Sequence, residues 1–209
     1  MKTIKLVFVF ALLLVVTGCA VGNSYDYRKA NASLPLTGSG ELGAGVVEMR
    51  SYVLDGDKTP NFIGLQRGGF GNPFDVKTSS GKAMTDDMTD VLSRALNSAG
   101  YTVKQLYFSS PDSAVVADII VKENKEKNVI LMVKEWKTDV MMNFRLIYDL
   151  DFQVIDSQGN VLASNTLEGD EKLGGAGFES QNSKSAVAAF ETKIGRLFNN
   201  PEIIAALQN

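Results

Sequence analysis

An α/β (α+β) domain built on a single mixed sheet is predicted, in the order β-α-β-α-β-β-β-α with the helices packed mainly on one face. Three observations predict it. Two segments, 84–99 and 183–198, carry apolar stripes at helical spacing. Val129 to Val133 is apolar on both faces, as a central strand is. Leu146, Tyr148, Leu150, Phe152 and Val154 alternate with Asp149, Asp151 and Gln153, as a half-exposed strand does.

The elements follow in order. A first strand is read from Val46 to Leu54, where Val47, Met49 and Val53 alternate against Glu48, Arg50 and Tyr52. A 27-residue polar and glycine-rich excursion, Asp55 to Gly81, separates it from the first helix. In that helix, Met84 to Ala99, Thr85 is the expected N-cap and Asp86 and Asp87 suit the positive end of the dipole. Met88, Val91, Leu92, Ala95, Leu96 and Ala99 form its stripe, and Gly100 closes it as a left-handed cap. Tyr101 to Leu106 is a short strand. Pro111-Asp112-Ser113 opens a second helix through Val115, Val116, Ile119 and Ile120, whose charged end Lys122 to Lys127 is solvated.

The central strand continues from Val133 through Glu135-Trp136-Lys137 toward Met142. After the alternating strand, Ser157-Gln158-Gly159-Asn160 turns into a partner strand, Val161 to Glu168. The last long helix, Ser183 to Phe198, buries Val187, Phe190, Ile194, Leu197 and Phe198. Asn199-Asn200-Pro201 breaks it, and Pro201 at N1 starts a terminal turn carrying Ile203, Ile204 and Leu207. Two right-handed crossovers make the first three strands parallel, and the remaining strands add as an antiparallel meander.

The N-terminus sets the expected address. Lys2 and Lys5 precede an apolar run of 11 residues, Leu6 to Val16, and Val16-Thr17-Gly18-Cys19 ends it. The run is too short for a membrane span, which needs roughly 20 residues, and has the layout of a signal peptide. The [Leu/Val/Ile]-x-Gly-Cys ending resembles the bacterial lipobox. That resemblance implies cleavage after residue 18, a diacylglycerol thioether on Cys19 and acylation of the new amine, with the lipid bilayer as the first partner. Ala20 after the cysteine, by similarity to enterobacterial sorting, directs the protein to the outer membrane, facing the periplasm. The expected organisation is residues 1–18 as signal peptide, 19–45 as lipidated cysteine and flexible tether, and 46–209 as one globular periplasmic domain.

Composition excludes several functions. Cleavage leaves 191 of 209 residues, with 19 basic against 24 acidic side chains. That acidic balance offers no footprint for nucleic acid. The chain has no histidine and one cysteine, so Ser–His–Asp triads, Cys–His dyads, His-ligated metals and redox dithiols are all excluded. Neither cofactor nor metal is expected. Gly38-Ser-Gly40-Glu-Leu-Gly43 matches the dinucleotide fingerprint, but no predicted strand precedes it and no predicted helix follows it. Asn31-Ala-Ser33 is a glycosylation sequon without meaning behind a lipobox.

Two segments are candidate sites. Gly64 to Asp75 combines glycines that free backbone N–H groups, the forked cation of Arg67 and the aromatic anchors Phe70 and Phe74. Arg67, Phe70 and Phe74 are therefore the candidate partner-binding residues, with Trp136 and its exposed strand face next. Glu135 and Asp139 lie four residues apart on a strand, about 13 Å, too far for a paired-carboxylate reaction centre. Asp149 or Asp151 on the neighbouring strand sits closer to them. Calcium-type spacing is absent from the acidic group Asp149, Asp151, Glu168, Asp170 and Glu171.

Several fragments together support a family resemblance. They are the lipobox, Gly100-Tyr101 after an amphipathic helix, the strand Tyr148 to Ile155 with its Asp156–Gly159 turn, Gly177-Phe178, Ala186 to Phe190, Asn200-Pro201 and Ile204. They are similar to the YajG-like lipoproteins. That family has no established activity, so the resemblance implies fold and location, and the segments Arg67–Asp75 and Glu135–Asp139 depart from it. The expected function is a non-catalytic binding or assembly factor of the cell envelope with an envelope protein partner. The alternatives are an accessory lipoprotein of a transport system and a carboxylate-dependent glycan hydrolase.

Overall fold

The computed structural model describes residues 23–208, so Cys19 and the signal segment lie outside the described residues. The strands are β1 (Ser24–Tyr25), β2 (Glu41–Glu48), β3 (Phe62–Arg67), β4 (Pro73–Thr78), β5 (Thr102–Tyr107), β6 (Lys127–Val140), β7 (Asn143–Asp156) and β8 (Val161–Gly175). The helices are α1 (Ser51–Leu54), α2 (Met84–Ser98), α3 (Ser113–Glu123), α4 (Glu179–Phe198) and α5 (Pro201–Gln208). All eight strands join one mixed sheet organised around β6. On one side β6 pairs antiparallel with β7, which pairs with β8 in the expected meander. Its other edge is shared. The first half pairs in parallel with β2, which pairs in turn with β5, and the last residues pair in parallel with β3.

The change of neighbour coincides with a bulge. Val129, Leu131 and Val133 point into the main core at odd positions, yet Trp136, Thr138 and Val140 are buried at even ones. A register shift against β7 between Val133 and Glu135 switches the phase. The extra residue of such a bulge is what lets a 14-residue strand keep its apolar side chains on one face.

Arg50 fills the gap in the shared edge. Pairing with β2 ends at Glu48↔Val133, and pairing with β3 begins at Gly64↔Thr138. Between them the Arg50 guanidinium, fully buried, donates to both Glu48 carboxylate oxygens at 2.8 and 2.6 Å. It also reaches the carbonyls of Phe62 at 2.6 Å and Trp136 at 3.4 Å. Burial works against its charge, but the Glu48 carboxylate outweighs this and holds the Arg50 pKa above its ordinary value. The expected strand Val46–Leu54 therefore ends early, and Ser51–Leu54 turns as α1.

Three further expectations are corrected. Residues 23–45 are not a tether: Tyr25 and Tyr27 are wholly buried, and β2 starts at Glu41. The glycines that read as linker are close-packing positions; a Cβ on Gly45 would stand 2.4 Å from the Leu106 carbonyl oxygen. The excursion 55–81 holds an antiparallel hairpin, β3–β4. Thr85 is buried inside the first turn of α2 rather than capping it. Gly100 does close α2 at φ 106°, as expected.

Helices α2, α4 and α5 cover one face with the main core, while α3 lies on the other over Val47, Leu106, Ile130 and Ile155. The reason is topological. The chain passes from β2 out to β5 and returns across β2 to β6. A right-handed connection that reverses its direction across a sheet must change face.

Buried and exposed charges should respond differently to substitution. Arg50→Ala strands Glu48 and two carbonyls, and is expected to cost about 3–5 kcal/mol in urea unfolding. Arg145→Ala, which breaks an exposed pair with Asp170, should leave the midpoint nearly unchanged. Asp87 is fully buried and bonded to the Ser80 hydroxyl at 2.8 Å, and burial raises its carboxyl above the ordinary aspartate value. A raised folded-state pKa means the protonated acid is favoured by folding. Wild type should therefore gain stability relative to Asp87→Asn as pH falls through that raised value, the gain levelling off below the ordinary 3.8. Paired urea titrations between neutral and acid pH measure it, and a gap that widens in the opposite direction refutes it.

Candidate functional site

The glycine-rich hairpin brings the candidate residues together only in part. Gly68 donates to the Asn72 carbonyl at 2.9 Å and Gly71 to the Gly68 carbonyl at 2.8 Å, closing the tip. Phe70 at that tip is fully exposed, while Phe74 is half-buried on β4. Arg67 faces the opposite side from Phe74 and makes a two-point pair with Asp139, Nε to Oδ1 at 2.8 Å and Nη2 to Oδ2 at 2.6 Å. That bonding holds the Arg67 pKa above its usual value. The fork that sequence offered to an external anion is occupied from within.

Trp136 is not a surface residue. It is wholly buried, donates from Nε1 to the Tyr27 hydroxyl at 2.8 Å, and meets the rings of Tyr27 and Phe190 edge-on at 6.0 and 5.5 Å. The expected exposed face around it is the other side of β6, where Glu135, Lys137 and Asp139 stand. There the Tyr52 hydroxyl donates to Glu135, and Lys137 lies 3.7 Å from the same carboxylate. Burial and the Glu135 hydrogen bond both push the Tyr52 phenol up. Glu135 stands in register with Asp149 across the β6–β7 pair, so the closer carboxylate partner expected on the neighbouring strand is there. Lys134 pairs with Asp151 at 3.6 Å and Arg145 with Asp170 at 2.8 Å. The face is charged but largely self-neutralised. No group of three or more acidic or cysteine side chains fit for a metal occurs among the described residues.

Sequence reasoning missed a groove beside α3. Asp112 caps this helix by accepting from the Ala114 N–H at 2.8 Å, and Asn124 ends it in the left-handed region at φ 48°. Between α3 and the sheet lies an open cavity of about 350 Å³, walled by Val47, Met49, Val116, Ile120, Met132 and Ile155. Its remaining lining includes Ser113 and Gln153 but no ionisable side chain. Val161 stands half exposed on its border. The signal was present in the sequence: Val129 to Val133 is apolar on both faces, so Ile130 and Met132 need a cover on the side away from Val129, Leu131 and Val133. The size falls at the lower end of small-ligand and side-chain pockets.

No family model matches the chain, and no curated protein matches it. Solved structures are similar at low identity. A protein from Xanthomonas campestris shares 13% identity over 90% of each chain, with a TM-score of 0.48. A point variant of the PelC dodecamer from Paraburkholderia phytofirmans shares 15% over 85% of this chain and 94% of that one, with a TM-score of 0.44. Lipoprotein GNA1162 from Neisseria meningitidis shares 15% over 76% and 99%, with a TM-score of 0.40.

Proposed function

We propose that this chain is a bacterial envelope lipoprotein, anchored through acylated Cys19 in the outer membrane, that binds a partner protein rather than catalysing a reaction. The α3 groove carries the binding reading. Its walls are apolar, and no acid or base projects into it, so it suits capture of an apolar side chain and lacks the convergent ionisable groups that hydrolysis needs. The engagement of Glu135 by Tyr52 and Lys137 supports the same choice over a glycan hydrolase. The anchor rests on the lipobox and the resemblance to YajG-like lipoproteins. Phe70, fully exposed at the tip of the hairpin that carries Arg67 and Phe74, is a further candidate contact outside the groove.

A second reading, an accessory lipoprotein of an envelope transport system, is favoured by the groove's position between sheet and helix. It predicts that a fluorescent fatty acid enters the groove.

Metabolic labelling with a fatty acid tests the anchor: wild type should take up label and Cys19→Ser should not. Equal labelling of both refutes it. Ala117→Arg, on the half-buried wall of α3, tests the groove. It should leave folding and labelling intact while removing the proteins that co-purify with wild type from native membranes. Unchanged co-purification places recognition elsewhere. Loss of fatty-acid binding in the same variant, with co-purification retained, favours the transport reading.

A further inference from the structure

We infer that the end of the sheet bearing Phe70, Met141, Met142 and Phe178 seats against the lipid surface. The inference rests on the lipid anchor at Cys19 proposed above. Nine large apolar side chains are strongly exposed among the described residues, and these four include the three most exposed. Phe70 is 103% exposed, Phe178 88% and Met142 80%.

Strand register places the four together. Gln66 pairs with Val140, so the β3–β4 tip with Phe70 lies beside the β6–β7 tip with Met141 and Met142. Asn143 pairs with Gly175, and the Ala176 N–H donates to the Met142 carbonyl at 3.2 Å, which brings Phe178 to the same end.

The chain enters the fold at this end. The Asn23 side chain donates to Gln66 Oε1 at 3.2 Å, and the Ser24 N–H donates to Glu179 Oε1 at 2.9 Å. β1 runs parallel to β4, which leads away from the hairpin tip. Three residues lie between Cys19 and Asn23, and the four steps from one to the other reach at most about 14 Å when extended. With so short a leash, the end that faces an anchoring bilayer is the one where Asn23 sits.

Its chemistry fits an interface. The tip backbones are closed by their own bonds, Gly68 to Asn72, Gly71 to Gly68 and Met141 to Asn143, so entry into the headgroup region leaves few amides bare. Arg67 and Arg145 are paired with Asp139 and Asp170, which leaves apolar contact rather than net charge to hold the seat. Aromatic rings at the headgroup level are the usual anchors of such a seat.

The test uses the full-length lipidated protein in vesicles of phosphatidylethanolamine and phosphatidylglycerol. An environment-sensitive thiol dye is placed at Met142→Cys, at Phe178→Cys and, as control, at Gln158→Cys. Gln158 lies just past the far end of β7, whose 14 residues span about 45 Å. The Cys19 sulfur is consumed by lipid, so each variant offers one reactive thiol. Dye at 142 and 178 should shift to the blue and lose intensity when brominated lipids are added, and dye at 158 should do neither. Green, unquenched emission at 142 and 178 overturns the seating while leaving the anchor intact. A blue shift that grows with protein copies per vesicle, without quenching, assigns the tips to a second copy and also overturns it. Dye uptake by unsubstituted protein shows a free Cys19 thiol, and then both anchor and seating fall.

Discussion

The buried Arg50–Glu48 pair holds the sheet where two strands exchange places on one edge. β6 needs hydrogen-bond partners along that edge, and neither β2 nor β3 supplies one opposite Trp136. A guanidinium can face several acceptors at once in one plane, which a backbone turn at this point does not. The β3–β4 hairpin hangs on β6 through only three residue pairs, and β1 hangs on β4. Arg50 fixes the root of the hairpin layer through the Phe62 carbonyl, and the Arg67–Asp139 pair fixes its outer end. The bulge at Val133–Glu135 is the other half of the arrangement, since it brings the Trp136 ring inward while its carbonyl turns to Arg50.

Much of this architecture was legible in the sequence where a single periodicity decides the outcome. The helix 84–98, the β7–β8 meander and the final pair of helices follow from unbroken stripes or alternation. Legibility failed where a residue's role is set by distant chain. β2 reads as linker because its glycines make room for side chains of β5 and β6. Arg50 reads as a solvent-facing strand residue because its acceptors are 12 and 86 positions away. That Trp136 and Thr138 share the buried face with Val133 is hidden from alternation, because a bulge shifts the phase.

The candidate site divides along the same line. Phe70 is exposed at a tip closed by local glycines and turn bonds, whereas Phe74 of the same segment is half-buried on β4. The occupation of Arg67 by Asp139 is a pairing across 72 residues that no local pattern announces. The face of α3, and with it the groove, depends on the direction in which the chain crosses the sheet. The sequence order of elements leaves that direction open.

The lie of β1 also has a mechanical meaning. β1 is bonded to its neighbours lengthwise: the Asn23 carbonyl accepts from Lys77, and the Tyr25 carbonyl accepts from Ser79. Force applied at Asn23 along the strand axis loads these bonds in shear, together and not in sequence as peeling would. Behind them Tyr25 and Tyr27 are embedded against Phe144, Trp136 and Phe190, and must be drawn through the core before the strand can slip. The first residues of the fold are thus built as a plug that holds against tension along the strand axis.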